Sequence, residues 1–115
     1  MTFSKAYAQD VPTREQIDAS AGAAVLEFGV DWCGFCRAAQ PAIATALAGR
    51  PGVQHIKVED GPGRALGRSY RIKLWPTLVF LSDGQETARL VRPTDSKLIE
   101  DALARIDPQQ TPDAS

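Results

Sequence analysis

Ala23-Ala24-Val25-Leu26-Glu27-Phe28-Gly29-Val30-Asp31-Trp32-Cys33-Gly34-Phe35-Cys36 is the stretch on which the fold turns. Its first eight residues are apolar or small apart from Glu27, and a nearly continuous apolar run of that length suits a strand covered on both faces. Arg37 to Ala48 follows at once. It is alanine-rich and helix-prone, with Pro41 inside it predicting a kink and Gly49-Arg50-Pro51-Gly52 closing it. The two cysteines therefore lie where a buried strand feeds a helix.

That placement carries chemistry. The first turn of a helix presents unsatisfied N–H groups and the positive end of the macrodipole, so Cys33 sits where an anion is favoured. The thiolate is the reactive form of cysteine, which makes Cys33 the expected nucleophile. Cys36, one turn on, is close enough to form a small disulfide ring and turns toward the interior, so it is the expected resolving thiol.

Outward from this junction the chain reads as alternating elements. Thr2 to Tyr7 is expected to form a short first strand. Thr13 with Gln16 three positions on predicts a capping box and a short helix ending near Ser20-Ala21-Gly22. Val53 to Glu59 reads as a strand of imperfect period, with Val53, Ile56 and Val58 as its apolar residues. Gly61-Pro62-Gly63 breaks the chain before a short helix, Arg64 to Tyr70. Thr77 to Leu81 is a strand, Asp83-Gly84 a hairpin turn and Glu86 to Val91 the returning strand. Leu98, Ile99, Ala102, Leu103 and Ile106 recur at helical spacing within Ser96 to Ile106. The order β-α-β-α-β-α-β-β-α predicts an α/β fold with a central mixed sheet and helices on both faces. A single domain over 1–106 is expected, with 107–115 a flexible C-terminal tail.

Bulk properties narrow the classes. The chain has 115 residues, 43% of them hydrophobic and 23% charged, as in an ordinary soluble domain. Its formal net charge of −1 provides no basic field for nucleic acid. No apolar run approaches the ~20 residues of a membrane span. Met1 to Asp10 has one lysine and no apolar core, so no secretory signal is expected and a cytoplasmic home is. The two cysteines make one C-x-x-C and nothing more, which points to redox chemistry or a metal and away from a disulfide-stapled scaffold. A tetrahedral zinc site needs two further ligands, and His55 is the one histidine, so no metal is expected.

Glu27 to Arg37, with Pro41 beyond, resembles the active-site region of thioredoxins. Lys57 in the third predicted strand, Tyr70 closing a helix and Trp75-Pro76-Thr77 before the fourth strand continue the match, which runs from about Ala23 to Ile106. The resemblance implies the three-layer α/β/α thioredoxin-like fold and a protein-disulfide reductase that needs no bound cofactor. Its implied partners are protein disulfides and an electron donor of the thioredoxin-reductase type, and the chain is expected to act as a monomer. It also implies roles. Pro76 resembles a cis-proline whose loop pairs with substrate backbone. Glu27 stands for a buried aspartate that passes a proton to Cys36, and Lys57 for the lysine beside it. Trp32, Gly34, Phe35, Trp75, Thr77 and Arg92 would belong to the substrate-binding surface.

Three residues depart from the pattern. Phe35 replaces the usual proline between the cysteines, Glu27 is longer than aspartate by a methylene, and Arg92-Pro93 replaces a loop glycine beside the site. They leave open a disulfide oxidant or isomerase using the same dithiol, or a redox-sensitive binding module. His55 is expected to be a partly exposed strand residue. Arg37, Arg64, Arg68 and Arg71 are expected on solvated faces.

Overall fold

A computed structural model of the chain describes residues 3–107. In chain order its elements are α1 (Arg14–Asp18), β1 (Ala23–Gly29), α2 (Gly34–Ala48), β2 (Gln54–Glu59), α3 (Ala65–Ser69), β3 (Thr77–Ser82), β4 (Gln85–Val91) and α4 (Ser96–Ala104). The four strands form one sheet in the order β2-β1-β3-β4. β1 runs parallel to β2 and antiparallel to β3, and β3 pairs antiparallel with β4.

Strand alternation divides the apolar residues between two layers of helix. Val25, Leu78 and Phe80 point to one side, where Ala39, Ile43 and Leu47 of α2 and Ile99 and Leu103 of α4 cover them. Leu26, Phe28, Val79 and Leu81 point to the other, against Ile17 of α1 and Leu66 and Tyr70 at α3. The sheet is thus buried on both faces, and β1 and β3, its inner strands, are apolar nearly throughout. This is the three-layer α/β/α arrangement expected from the sequence.

Local signals explain the boundaries. Thr13 caps α1: its side chain accepts from the Gln16 N–H and the Gln16 side chain accepts from the Thr13 N–H at 2.9 Å, completing the box. The β3–β4 hairpin turns on Asp83 and Gly84, both at positive φ (50° and 80°). That pair of angles belongs to the tight two-residue turn whose twist matches the strands. Gly84 is also required by proximity, because a Cβ there would lie 2.7 Å from the Ile17 carbonyl oxygen. α2 begins three residues earlier than the alanine-rich run suggested, with Cys33 itself as N-cap.

The first predicted strand does not form. Thr2 lies outside the described residues, and 3–8 is irregular. The reason is visible in its backbone bonds, which go mostly to side chains of β2. The Ser4 N–H donates to His55 Nδ1 at 2.8 Å, and the Lys5 carbonyl accepts from Lys57 Nζ at 3.0 Å. The Ala8 N–H to the Lys57 carbonyl, 2.8 Å, is a ladder-like bond to the same strand. The segment is therefore a strap across the edge of β2. At the other end, Asp107 is not loose: it is buried and its carboxylate is 3.6 Å from Arg50. The remainder of the expected tail, 108–115, lies outside the described residues.

Candidate active site

Both cysteines are reduced and buried, Cys33 7% and Cys36 3% exposed. Because Cys33 is the N-cap of α2, its Sγ accepts the Cys36 N–H at 3.1 Å, as a side-chain oxygen does at an ordinary cap. A thiolate there would receive one of the helix's orphan donors and its positive end. Cys36 is one turn deeper, against Gly29, where an added Cβ would lie 2.6 Å from its sulfur. Glycine at 29 is what allows strand and helix to approach so closely. Burial, followed by the hydrogen bond with Cys33 and the charge of Glu27, pushes the Cys36 thiol up to about 12. At neutral pH Cys36 is thus a thiol, and it needs a base before it can act as a nucleophile.

The surface over the dithiol is aromatic. Trp32 is 73% exposed and meets Trp75 edge to face at 5.7 Å between ring centroids. Asp60 holds the Trp75 indole N–H at 2.9 Å. Phe35, more than half exposed, lies under the Arg92 guanidinium, 3.8 Å from carbon to ring centroid. Arg92 also donates through Nε to the Trp75 carbonyl at 2.9 Å, and it holds a left-handed φ of 53° where glycine is the easy residue. The Trp75–Pro76 bond is cis, as expected. The Trp75 carbonyl oxygen stands 3.9 Å from Cys33 Sγ. Thr77 is buried, its hydroxyl donating to the Leu74 carbonyl. Gly34 opens α2 at the surface, with nothing near the place of its missing side chain. The structure thus brings Trp32, Phe35, Trp75, Pro76 and Arg92 around Cys33.

Behind Cys36 the arrangement departs from expectation. Glu27 is wholly buried. Lys57 is its register partner on β2 but reaches it only through Gln40. Gln40 Nε2 donates to Glu27 Oε2 at 2.7 Å and to the Cys36 carbonyl at 2.9 Å, while its Oε1 accepts from Lys57 Nζ at 3.3 Å. The direct partner of Glu27 is His55, whose Nε2 is 2.8 Å from Oε1. His55 is not the partly exposed strand residue the sequence suggested; its side chain is 0% exposed. The physical reason is strand alternation: His55 and Lys57 share the face of Val53, the face that α2 covers. Tyr7 completes the surround, with its ring 4.8 Å from Lys57 Nζ and its hydroxyl next to Gly29. A crevice of about 40 Å³ lined by Tyr7, Cys36, Gln40 and Lys57 has room for a water.

Sequence reading missed His55, Gln40, Tyr7 and Asp60. Gln40 had a usable signal, since it follows Cys36 by one helical turn. His55 had one as well, two residues before Lys57 on the same strand face. Tyr7 and Asp60 carried none. Arg37, Arg64, Arg68 and Arg71 are exposed, as expected.

Comparison with known proteins agrees with this geometry. The family model described as Thioredoxin matches residues 5–105. Thioredoxin Asp f 28 of Aspergillus fumigatus is 28% identical over 106 residues, 92% of this chain and 98% of its own length. A thioredoxin of Chlamydia pneumoniae is 27% identical over 84 residues, covering 73% of this chain and 82% of that protein. Among solved structures, reduced thioredoxin 2 from Pseudomonas aeruginosa PAO1 superposes with a TM-score of 0.81 at 48% identity, covering 93% of this chain and 99% of that one. With its C-x-x-C at the head of α2, the chain belongs to the thioredoxin family and is a protein-disulfide oxidoreductase working by dithiol exchange.

Proposed function

We propose that this protein reduces disulfides in other proteins, with Cys33 as nucleophile and Cys36 as resolving thiol. The observation that carries the assignment is the asymmetry of the pair: Cys33 caps a helix at the aromatic surface, whereas Cys36 is buried against Gly29. In the first half-reaction the Cys33 thiolate attacks one sulfur of the substrate. The substrate S–S bond breaks, the other sulfur leaves with the electron pair and takes a proton, and a Cys33–substrate disulfide forms. Cys36 then gives its proton to Glu27, directly or through a water, and its thiolate attacks Cys33 Sγ. The mixed disulfide breaks and the second substrate sulfur leaves as a thiolate. Two electrons have passed from the dithiol to the substrate.

Trp32, Phe35 and Trp75 supply apolar contact for a polypeptide, and the backbone around Pro76 and Thr77 supplies hydrogen-bonding groups beside the nucleophile. Arg92 adds a cation at the rim. All these groups come from one chain, so the reading needs no second copy. Recharging the disulfide takes two electrons and two protons from a donor of the thioredoxin-reductase type. A cytoplasmic setting, where thiols are kept reduced, suits that direction. Among the described residues no helix is long and apolar enough to cross a membrane.

Two measurements test the reading. Cys36→Ser should accumulate a stable mixed disulfide with intact insulin, whose disulfides are still formed, and Cys33→Ser should accumulate none; trapping through Cys36 instead would reverse the roles. The equilibrium potential of the pair should fall near the ~−270 mV of thioredoxin, whereas a value of ~−180 to −120 mV would assign the protein to isomerases or oxidants.

A further inference from the structure

Burying a carboxylate without exposure is costly unless donors meet both of its oxygens. Glu27 has such donors: Gln40 at Oε2 and His55 at Oε1. The His55 ring has two nitrogens, and only one arrangement of its proton fits the bonds around it. Nδ1 accepts the Ser4 backbone N–H, which can only donate. The ring hydrogen is therefore on Nε2, aimed at Glu27. Phe3 stacks on the imidazole at 5.4 Å with the rings 18° from parallel, fixing its plane. The strap ahead of α1 thus sets the tautomer of a histidine on β2, which orients a carboxylate on β1.

This arrangement distinguishes the two oxygens. Oε1 faces His55. Oε2 shares the Gln40 amide with the Cys36 carbonyl, so it is the oxygen on the side of Cys36. We propose that His55 is a positioning residue for dithiol exchange: donating to Oε1 from a tautomer held by Ser4, it fixes the Glu27 carboxylate with Oε2 turned toward Cys36. This rests on Glu27 being the base for Cys36. Lys57 contributes at one remove, polarising Gln40 through Oε1. The charged and titratable groups around the pair are Lys57 on β2, Cys36 on α2 and Tyr7 on the strap, with Cys33 and Asp31 beyond Tyr7.

The first test is made on the unaltered reduced protein. Nitrogen-15 NMR of His55 at neutral pH should show a proton on Nε2 and none on Nδ1; a proton on Nδ1 would overturn the proposal. The second follows resolution of a preformed Cys33 mixed disulfide against pH, with folding checked by circular dichroism. In His55→Leu one of the donors that hold the carboxylate is lost, and the rising limb of the resolution profile should move to higher pH. His55→Gln, whose amide reaches the Nε2 position, should restore the limb. A folded His55→Leu with an unmoved limb would reduce His55 to a packing residue and overturn the proposal. Should the leucine variant not fold, the NMR result and the glutamine profile decide. Failure of the underlying reading looks different: Glu27→Gln would then resolve the mixed disulfide at pH 7 as fast as the unaltered protein.

Discussion

At the residue scale, Cys33 and Cys36 are the same chemical group in two environments, and the difference divides the labour between them. Cys36 is a thiol pushed up to about 12, chiefly by burial, so the base beside it should control its reactivity. Glu27→Gln removes that base while keeping the shape. Resolution of the mixed disulfide at pH 7 should slow by about 10²-fold, the low end of what a positioned general base contributes, and should recover as the pH rises. Stopped-flow measurement of thiol release checks this, and an unchanged rate at pH 7 would remove Glu27 from the reaction. Arg92 is a second residue with a separable effect. Its Nε is held by the Trp75 carbonyl and its face by Phe35, while its terminal nitrogens hydrogen-bond to nothing among the described residues. Arg92→Ala should lower kcat/KM for peptides with an acidic residue beside the disulfide by about two- to fivefold, the kinetic size of an exposed ion pair, and barely change it for neutral ones. Equal loss on both peptides would show that the charge is not read.

At the scale of elements, the site is assembled by three junctions. The β1–α2 junction presents Cys33 on a helix N-terminus, the loop before β3 brings the Trp75 carbonyl to it, and the end of β4 lays Arg92 over Phe35. Helix α1 touches none of these and carries its own stop and start signals. Thr13→Ala removes a hydrogen-bond acceptor from its first turn and should cost ~1 kcal/mol of stability without altering the rate of insulin reduction. Denaturant unfolding and a turbidity assay test both halves. A loss of activity at full stability would mean that α1 communicates with the dithiol. Element by element, most of the architecture was legible because its signals are local: the Thr13–Gln16 box, the apolar runs of β1 and β3, the Asp83-Gly84 turn and the helical spacing of α4. The strap was misread because its decisive partners, His55 and Lys57, are more than 50 residues away.

At the scale of the whole molecule, burial of Cys36 couples its protonation to stability. In the unfolded chain Cys36 loses its proton near 9.0, whereas in the folded protein it holds it to about 12. Between those values the unfolded state binds fewer protons, so stability falls as pH rises, and below 9.0 the contribution is fully present. The reduced protein should therefore lose stability between pH 9 and 11 more steeply than Cys36→Ser. Tyr70, also raised by burial, is common to both proteins and cancels in the comparison, whereas Tyr7 is raised chiefly by burial and next by the charge of Cys36, so its titration belongs to the difference. Urea midpoints at successive pH values measure the difference, and parallel curves would mean that Cys36 titrates normally.

The sequence by itself determined the α/β class, the order of the helices and strands from α1 onward, and the dithiol at a helix start. Each of these depends on residues within a turn or a strand length of one another, where periodicity, capping and turn geometry act. Only the tertiary structure decided what surrounds Glu27. The choice of His55 over Lys57 as its direct partner depends on which face of β2 meets α2, on the reach of Gln40 from the next turn of that helix, and on where the strap crosses the sheet edge. A buried charge is stabilised by whichever donors packing brings within about 3 Å, and that is settled by the assembled layers, not by neighbours in the chain.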